Sequence, residues 1–397
     1  MPLSVMKNKA LVGARETVSP YDGLTCAEYF AGIGLVRLGL EQVGWNVIFA
    51  NDWAHSKFEM YSAHFKDASK HYKVQDIFSI GSDDIPETIL ATASFPCIDL
   101  SLAGNLEGID GQHSSAFWGF TQILDSQANK PKIVMLENVS GWLTSNGGQD
   151  FRIAIQELNR LGYACDVFTI DAARFVPQSR PRVFVVGMQS SKVNQDILVF
   201  SKRSSSLKTQ TLEKAVVANL DLCWNFLDVP PLPDRIKADL SFVIEKILDN
   251  DARWWSDNEV KRHLSMMSSI NLEYLQGLQE LSTYSYCPMY RRVREGKQRA
   301  ELRKDGLAGC LRTVRGGSSR QMLVRVGQGT IKMRLMTPRE YARLQGVPDN
   351  YPIPLQVNQA LTGFGDAVCV PVIVWIAENI LNPLTKSLRE SNLVLHQ

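Results

Sequence analysis

A chain of 397 residues with 45% hydrophobic and 21% charged residues has room for two cores; the composition excludes a fibre, a disordered tail and, with no internal period, a repeat array. Its seven cysteines, at 26, 97, 165, 223, 287, 310 and 369, contain no CxxC pair, so neither a disulfide framework nor a zinc knuckle is indicated; no metal is expected, and a reducing, cytoplasmic setting is. The net charge of +2 hides a segregation, with 22 Lys and Arg against 16 Asp and Glu in residues 191–330 and eleven against three in residues 291–325.

Residues 1–20 hold no apolar stretch before a small-residue cleavage site, so no secretory signal is expected. Residues 24–30 read as the first strand. It runs into Phe30-Ala31-Gly32-Ile33-Gly34, a glycine turn that opens a helix and lets a ligand approach backbone N–H groups. Arg37 stands where a dinucleotide fingerprint requires a third small residue, which argues against a dehydrogenase. A second strand at 47–50 leads to Asp52, an acid placed to accept hydrogen bonds from ribose hydroxyls. Further strands fall at 89–95, 132–136, 165–170 and 183–186, and Phe151, Ile155, Leu158 and Leu161 recur at helical spacing over 150–161. This alternation predicts an α/β fold, a Rossmann-like, mostly parallel sheet with helices on both faces.

After residue 188 the pattern becomes irregular, with Pro230-Pro231-Leu232-Pro233, a helical stretch at 270–281 and basic loops. Helical patterning returns at 338–344 and again at about 366–381, where the apolar run 367–377 is too short to span a bilayer and reads as a core helix. The pattern divides the chain into an alternating domain over 1–189, an irregular second domain over 190–349 and a C-terminal segment over 350–397. Three groups then stand out at strand edges, where open α/β sheets bind ligands: Pro96-Cys97, Glu137-Asn138-Val139 and Gln178-Ser179-Arg180-Pro181-Arg182. A thiol, a carboxyl and two guanidiniums are thus expected to converge on one crevice.

In this order, with the glycine turn upstream and Thr337-Pro338-Arg339-Glu340 to Pro348 downstream, the set resembles the DNA cytosine methyltransferases that act on ring carbon 5, of the bacterial and phage restriction-modification type. The likeness runs from about Leu24 to Ile380, apart from the segment between about Lys192 and Lys332. It implies the S-adenosyl-methionine methyltransferase fold with an inserted target-recognition domain, S-adenosyl-methionine as cofactor and S-adenosyl-homocysteine as product. The implied partner is double-stranded DNA, with no membrane and a monomeric enzyme. A cognate restriction endonuclease stays open as a second partner.

On the same resemblance, Phe30 to Gly34, Asp52, Trp53, Asp76, Ile77, Pro96, Phe117, Asp366 and Ala367 form the cofactor pocket. Cys97 adds to carbon 6 of the flipped cytosine, Glu137 handles the proton at nitrogen 3, Arg182 donates to the ring carbonyl and Arg180 positions the loop and phosphate near the thiol. Ser101, in a glycine-bearing loop over 98–112, Gln178, Arg291, Arg292, Arg294, Arg312, Thr313 and Arg315 are expected to contact DNA. Two rival readings share the motifs: a transfer-RNA cytosine methyltransferase of the same fold, whose Cys-Phe-Thr signature is not matched by Tyr286-Cys287-Pro288, and a catalytically weak DNA-binding relative, although all four catalytic residues are present. Ile98 and Asp99 depart from the family after the cysteine. Asp366 stands where the family usually has Asn; it can cap the following helix, but the sequence names no partner for its charge.

Overall fold

The computed structural model describes residues 23–95, 116–189, 193–236, 240–313 and 320–395. Strand β1 spans Thr25–Tyr29, β2 Asn46–Asp52, β3 Tyr72–Val74, β4 Leu90–Ala93, β5 Ile133–Val139, β6 Ala164–Asp171 and β7 Pro181–Met188. They form one sheet in the order β3-β2-β1-β4-β5-β7-β6. All but the last residue of β5 are buried, because a mid-sheet strand covered on both faces needs a continuous apolar run. Helices α1 (Leu35–Glu41), α2 (His55–His64), α3 (Ala116–Ser126) and α4 (Gln149–Arg160) lie along the sheet. The core divides accordingly, one cluster taking Leu35, Leu40 and Met60 and the other Phe117, Phe120, Phe151 and Ile155.

Pairings among β1 to β5 are parallel, whereas β7 runs antiparallel to both β5 and β6. This one reversal positions the site. A parallel strand would start at the far edge; an antiparallel β7 starts at the edge where β5 ends, so Val139 lies opposite Arg182. The expected fold class is therefore present, with the strand order reversing between β1 and β4 at the point where such sheets bind ligands.

Three local expectations need correction. The region of the basic stretch expected as loops contains a sheet: β8 (Ser285–Arg294), β9 (Lys297–Leu302), β10 (Met322–Gly327) and β11 (Thr330–Leu335) pair in the order β11-β10-β8-β9. The outer end of β8 and the first half of β9 are exposed on both faces, so no apolar alternation marks them. The helix expected at 366–381 is broken: helix Val357–Asp366 ends at Asp366, and the next one, Val370–Ile376, starts from Cys369 with Pro371 in its first turn. Asp366 therefore terminates one helix instead of capping the other.

Buried residues of the stretch 190–349 fall into more than one core cluster. A separate core gathers Val260, Leu275, Met289, Val324 and Met333. Phe200, Leu212 and Trp224 instead pack into the first body, and Met336, Tyr341 and Leu344 have already returned to it. Residues 357–388 are apolar and long enough to cross a membrane by composition, but 72% of their most apolar window is buried, as in core helices.

Candidate active site

Beyond β1 the chain turns through left-handed backbone at Phe30 (φ 56°), Gly32 (φ 56°) and Gly34 (φ 80°). A left-handed phenylalanine is strained and must be held by its surroundings. Ala31 N donates to Asn51 O at 2.8 Å, and Gly32 N to Asp52 Oδ2 at 3.1 Å. Gly34 tolerates no side chain, since a Cβ there would lie 2.6 Å from the Phe65 ring and 2.7 Å from Tyr61. Asp52 ends β2 with its second oxygen accepting from Ala54 N at 2.9 Å. Beside it Trp53 is 76% exposed, an indole that no core has claimed.

Asn51 Nδ2 donates to the carbonyls of Lys73 (3.1 Å) and Gln75 (2.8 Å), and so draws Asp76 alongside β2. Asp76 is exposed and accepts from Phe78 N at 2.9 Å, which starts a short helix at the buried Ile77. Phe117 on α3 is fully buried, its ring 5.4 Å from that of Phe95. Asp366 lies across the glycine turn: Lys57 Nζ is 3.5 Å from Asp366 Oδ2 and 3.5 Å from Asp52 Oδ2.

The other half of the crevice is built where β4, β5 and β7 meet. Asn138 Nδ2 donates to the carbonyl oxygen of Phe95 at 3.3 Å, fixing the chain just ahead of Pro96-Cys97. Its neighbour Glu137 pairs with Arg182, Oε1 to Nε at 2.9 Å, with both side chains largely buried. The adjoining pocket is lined by Glu137, Arg180, Arg182, Phe184 and Cys369 among others. Burial pushes the Cys369 thiol up to about 12, so it stays protonated near neutral pH and is no nucleophile there. Pro96, Cys97, Ser101 and Arg315 lie outside the described residues.

Arg180 is only 2% exposed. Its Nη1 donates to Leu311 O (3.0 Å) and Cys310 Sγ (3.4 Å), and its Nη2 to Ala367 O (2.8 Å) and Gly365 O (3.2 Å). Burial first, and the neighbouring Arg182 charge second, hold this guanidinium below its ordinary range. One side chain thus fastens three segments distant in sequence. Gly365 permits the contact, for a Cβ there would stand 2.5 Å from Arg312 O.

The sequence profile of the C-5 cytosine-specific DNA methylases matches residues 24–382. The chain belongs to this family. It is 28% identical over 366 residues to the type II methyltransferase M.SsoII of Shigella sonnei, spanning 90% of this chain and 80% of that protein. To M.HaeII of Haemophilus aegyptius it is 27% identical over 364 residues, spanning 91% and 94%. Among solved structures, the S. pombe Dnmt2 methyltransferase matches with a TM-score of 0.58 at 17% identity, over 91% of this chain and 99% of that one. A putative DNA modification methyltransferase encoded within an E. coli prophage matches with a TM-score of 0.55 at 16% identity, over 91% and 100%. Both solved structures speak to the fold alone. The protein is a methyltransferase that acts on carbon 5 of cytosine in DNA.

Within the methylase, the residues expected to contact DNA divide into two groups. Arg291, Arg292 and Arg294 lie on the outer end of β8, in a ribbon with β9 whose turn is Glu295 (φ 50°) and Gly296 (φ 71°). Arg292 is bonded to Glu301, and Arg294 Nε to Glu301 Oε1 at 2.7 Å. Arg312 is exposed and Thr313 partly so, next to the Arg180 clamp.

Gln178 requires a correction. It is wholly buried, its Nε2 donating to Leu344 O (2.7 Å) and its Oε1 accepting from Leu311 N (3.2 Å). An amide occupied in this way is a structural link, not a DNA contact. Arg180 likewise holds protein carbonyls in place of the expected phosphate. Asn138, Lys57 and Cys310 went unassigned in the sequence. Only Asn138 carried a signal, its place beside Glu137; the partners of the others lie far off along the chain.

Proposed function

We propose that this methylase transfers the methyl group of S-adenosyl-methionine to carbon 5 of a cytosine flipped out of a specific double-stranded DNA site, through a transient bond from Cys97 to carbon 6. The observation that carries the reading is the Glu137–Arg182 pair at the β5–β7 edge, one hydrogen bond from the residue where β4 delivers the chain to Pro96-Cys97. The Cys97 thiolate adds to carbon 6, and the ring's electron pair is drawn toward nitrogen 3 and the carbonyl oxygen. Glu137, with Oε1 held by Arg182, can turn Oε2 to the nitrogen 3 and amino edge. Arg182 supplies the cation for the carbonyl. When the proton on carbon 5 leaves to a base, the electron pair re-forms the ring double bond and expels the thiolate.

The cofactor half fits an adenosyl group. The glycine turn lies at the switch point with Gly32 N bonded to Asp52 at the end of β2, and the exposed indole of Trp53 offers an adenine a stacking face. S-adenosyl-methionine, when bound, supplies an electrophilic methyl on sulfur. The ribbon of β8 and β9 supports a DNA-facing reading, since a two-stranded ribbon fits the major groove. The same reading takes the methylase as a monomer of the cytoplasm, with a restriction endonuclease for its site as the natural second partner.

Bisulfite-type conversion sequencing of DNA from a methylation-free host expressing the chain tests activity and site together. Cys97→Ser should abolish methylation while leaving DNA binding intact. A duplex with 5-fluorocytosine in the site should trap the wild-type protein through Cys97, because fluorine cannot leave carbon 5 as a proton does. An adduct on another cysteine, or methylation by the Ser variant near the wild-type rate, overturns the assignment.

A further inference from the structure

Two carboxylates, Asp52 and Asp366, face one another across the glycine turn, and a single ammonium stands between them. Lys57 reaches this place from α2, its Nζ 3.5 Å from an oxygen of each. Its stem crosses the turn, with Cδ 3.9 Å from where a Cβ of Gly32 would be. The arrangement is anchored from below: a Cβ on Gly363 would meet Ile33 at 3.0 Å and Met60 at 2.8 Å, so the helix ending in Asp366 lies directly against the turn and α2.

The three charges are not equivalent. Asp52 is buried and already accepts from Gly32 N and Ala54 N, so its carboxylate has protein partners of its own. Asp366 has 37% of its side chain exposed. At 3.5 Å from either acid, Lys57 lies outside the usual 2.7–3.2 Å range of an N–H···O bond, a shared cation with donors to spare. An exposed acceptor and an available ammonium match the two charges of an amino-acid head, an α-ammonium and an α-carboxylate.

We propose that Lys57 and Asp366 together hold the amino-acid head of the cofactor, Lys57 taking its α-carboxylate and Asp366 its α-ammonium. This rests on the adenosyl reading of the crevice. It accounts for an acid at 366, since a carboxylate there has a cation opposite it and a cation to receive. It also makes the cleft charge-selective. Two acids and one lysine leave a net negative charge, which favours the cationic sulfonium cofactor over its neutral thioether product.

Calorimetric titration of the full chain with S-adenosyl-homocysteine and with 5′-methylthioadenosine, which lacks the amino-acid head, separates the possibilities. Lys57→Met should weaken S-adenosyl-homocysteine at least tenfold and alter methylthioadenosine less than twofold, whereas Lys57→Arg should keep the former within about threefold of wild type. Asp366→Asn should likewise weaken S-adenosyl-homocysteine, which carries the same α-ammonium, and alter methylthioadenosine less than twofold; an unchanged affinity for S-adenosyl-homocysteine overturns the role of Asp366. Equal losses for both ligands in Lys57→Met, or none for either, overturn the proposal. Wild type binding neither ligand removes the adenosyl reading itself, and the proposal with it. Thermal melting of each variant guards against misfolding, and the arginine variant keeps the test decisive if the methionine variant is unstable.

Discussion

Replacing Arg180 with Met tests whether this residue is a clamp inside the protein or a hand held out to DNA. The guanidinium donates to three backbone carbonyls, of Leu311, Gly365 and Ala367, at 2.8–3.2 Å. Each hydrogen bond from a charged donor contributes about 1.5–3 kcal/mol, and a buried acceptor left without a partner costs about 1–3 kcal/mol. Against this, removing a buried charge relieves its desolvation, which here works against the guanidinium along with Arg182. The net expected loss is about 3 kcal/mol, read as a lowered urea midpoint with unchanged slope. Arg180→Lys should lose about 2 kcal/mol, since one ammonium cannot span carbonyls on both sides.

A second readout distinguishes the roles. The clamp holds Gly365 and Ala367 on either side of Asp366, so S-adenosyl-homocysteine should bind more weakly to both variants. The salt dependence of DNA binding should not change, because a side chain this buried neutralises no phosphate. A loss under about 1 kcal/mol for the Met variant would refute the clamp. A drop of about one in the slope of log affinity against log salt would show that Arg180 meets a phosphate after all.

Trp53→Ala should weaken S-adenosyl-homocysteine while shifting stability by less than about 0.5 kcal/mol, because the indole is exposed; unaltered affinity in calorimetry would return Trp53 to the bare surface. On the β8–β9 ribbon, replacing Arg292 and Arg294 with Ala should weaken DNA binding and reduce the salt slope by about 0.9 for each phosphate no longer neutralised. Glu301→Gln should steepen that slope by freeing both guanidiniums, and a slope fixed in all variants would make the ribbon a solvated surface. Burial pushes the Glu28 carboxyl up to about 8 against the opposing Arg37 charge. The folded protein then keeps a proton that the unfolded chain has lost, so stability should fall as pH rises from about 4.5 to about 8 and level off above. Glu28→Gln should remove that slope and gain stability at pH 8; denaturation midpoints that keep the slope would contradict it.

The sequence alone determined the family and most of the elements. A buried parallel sheet demands short apolar runs, a helix on its surface shows a 3.6-residue stripe, and a glycine turn between them marks a ligand site. Those local constraints sufficed for β1, β5, α4 and the helix Pro338–Leu344, and motif order sufficed for the family. The direction of β7 was not legible, since periodicity is the same whichever way a strand runs, yet it decides whether Arg182 meets Glu137. The β8–β9 ribbon was hidden because strands with two exposed faces have no alternation to show. Gln178 and Arg180 looked like ligand-facing residues until packing enclosed them with the carbonyls of segments more than 100 residues away. Lys57 meets Asp366 across more than 300 residues, a pairing that no local rule encodes and only the folded chain creates.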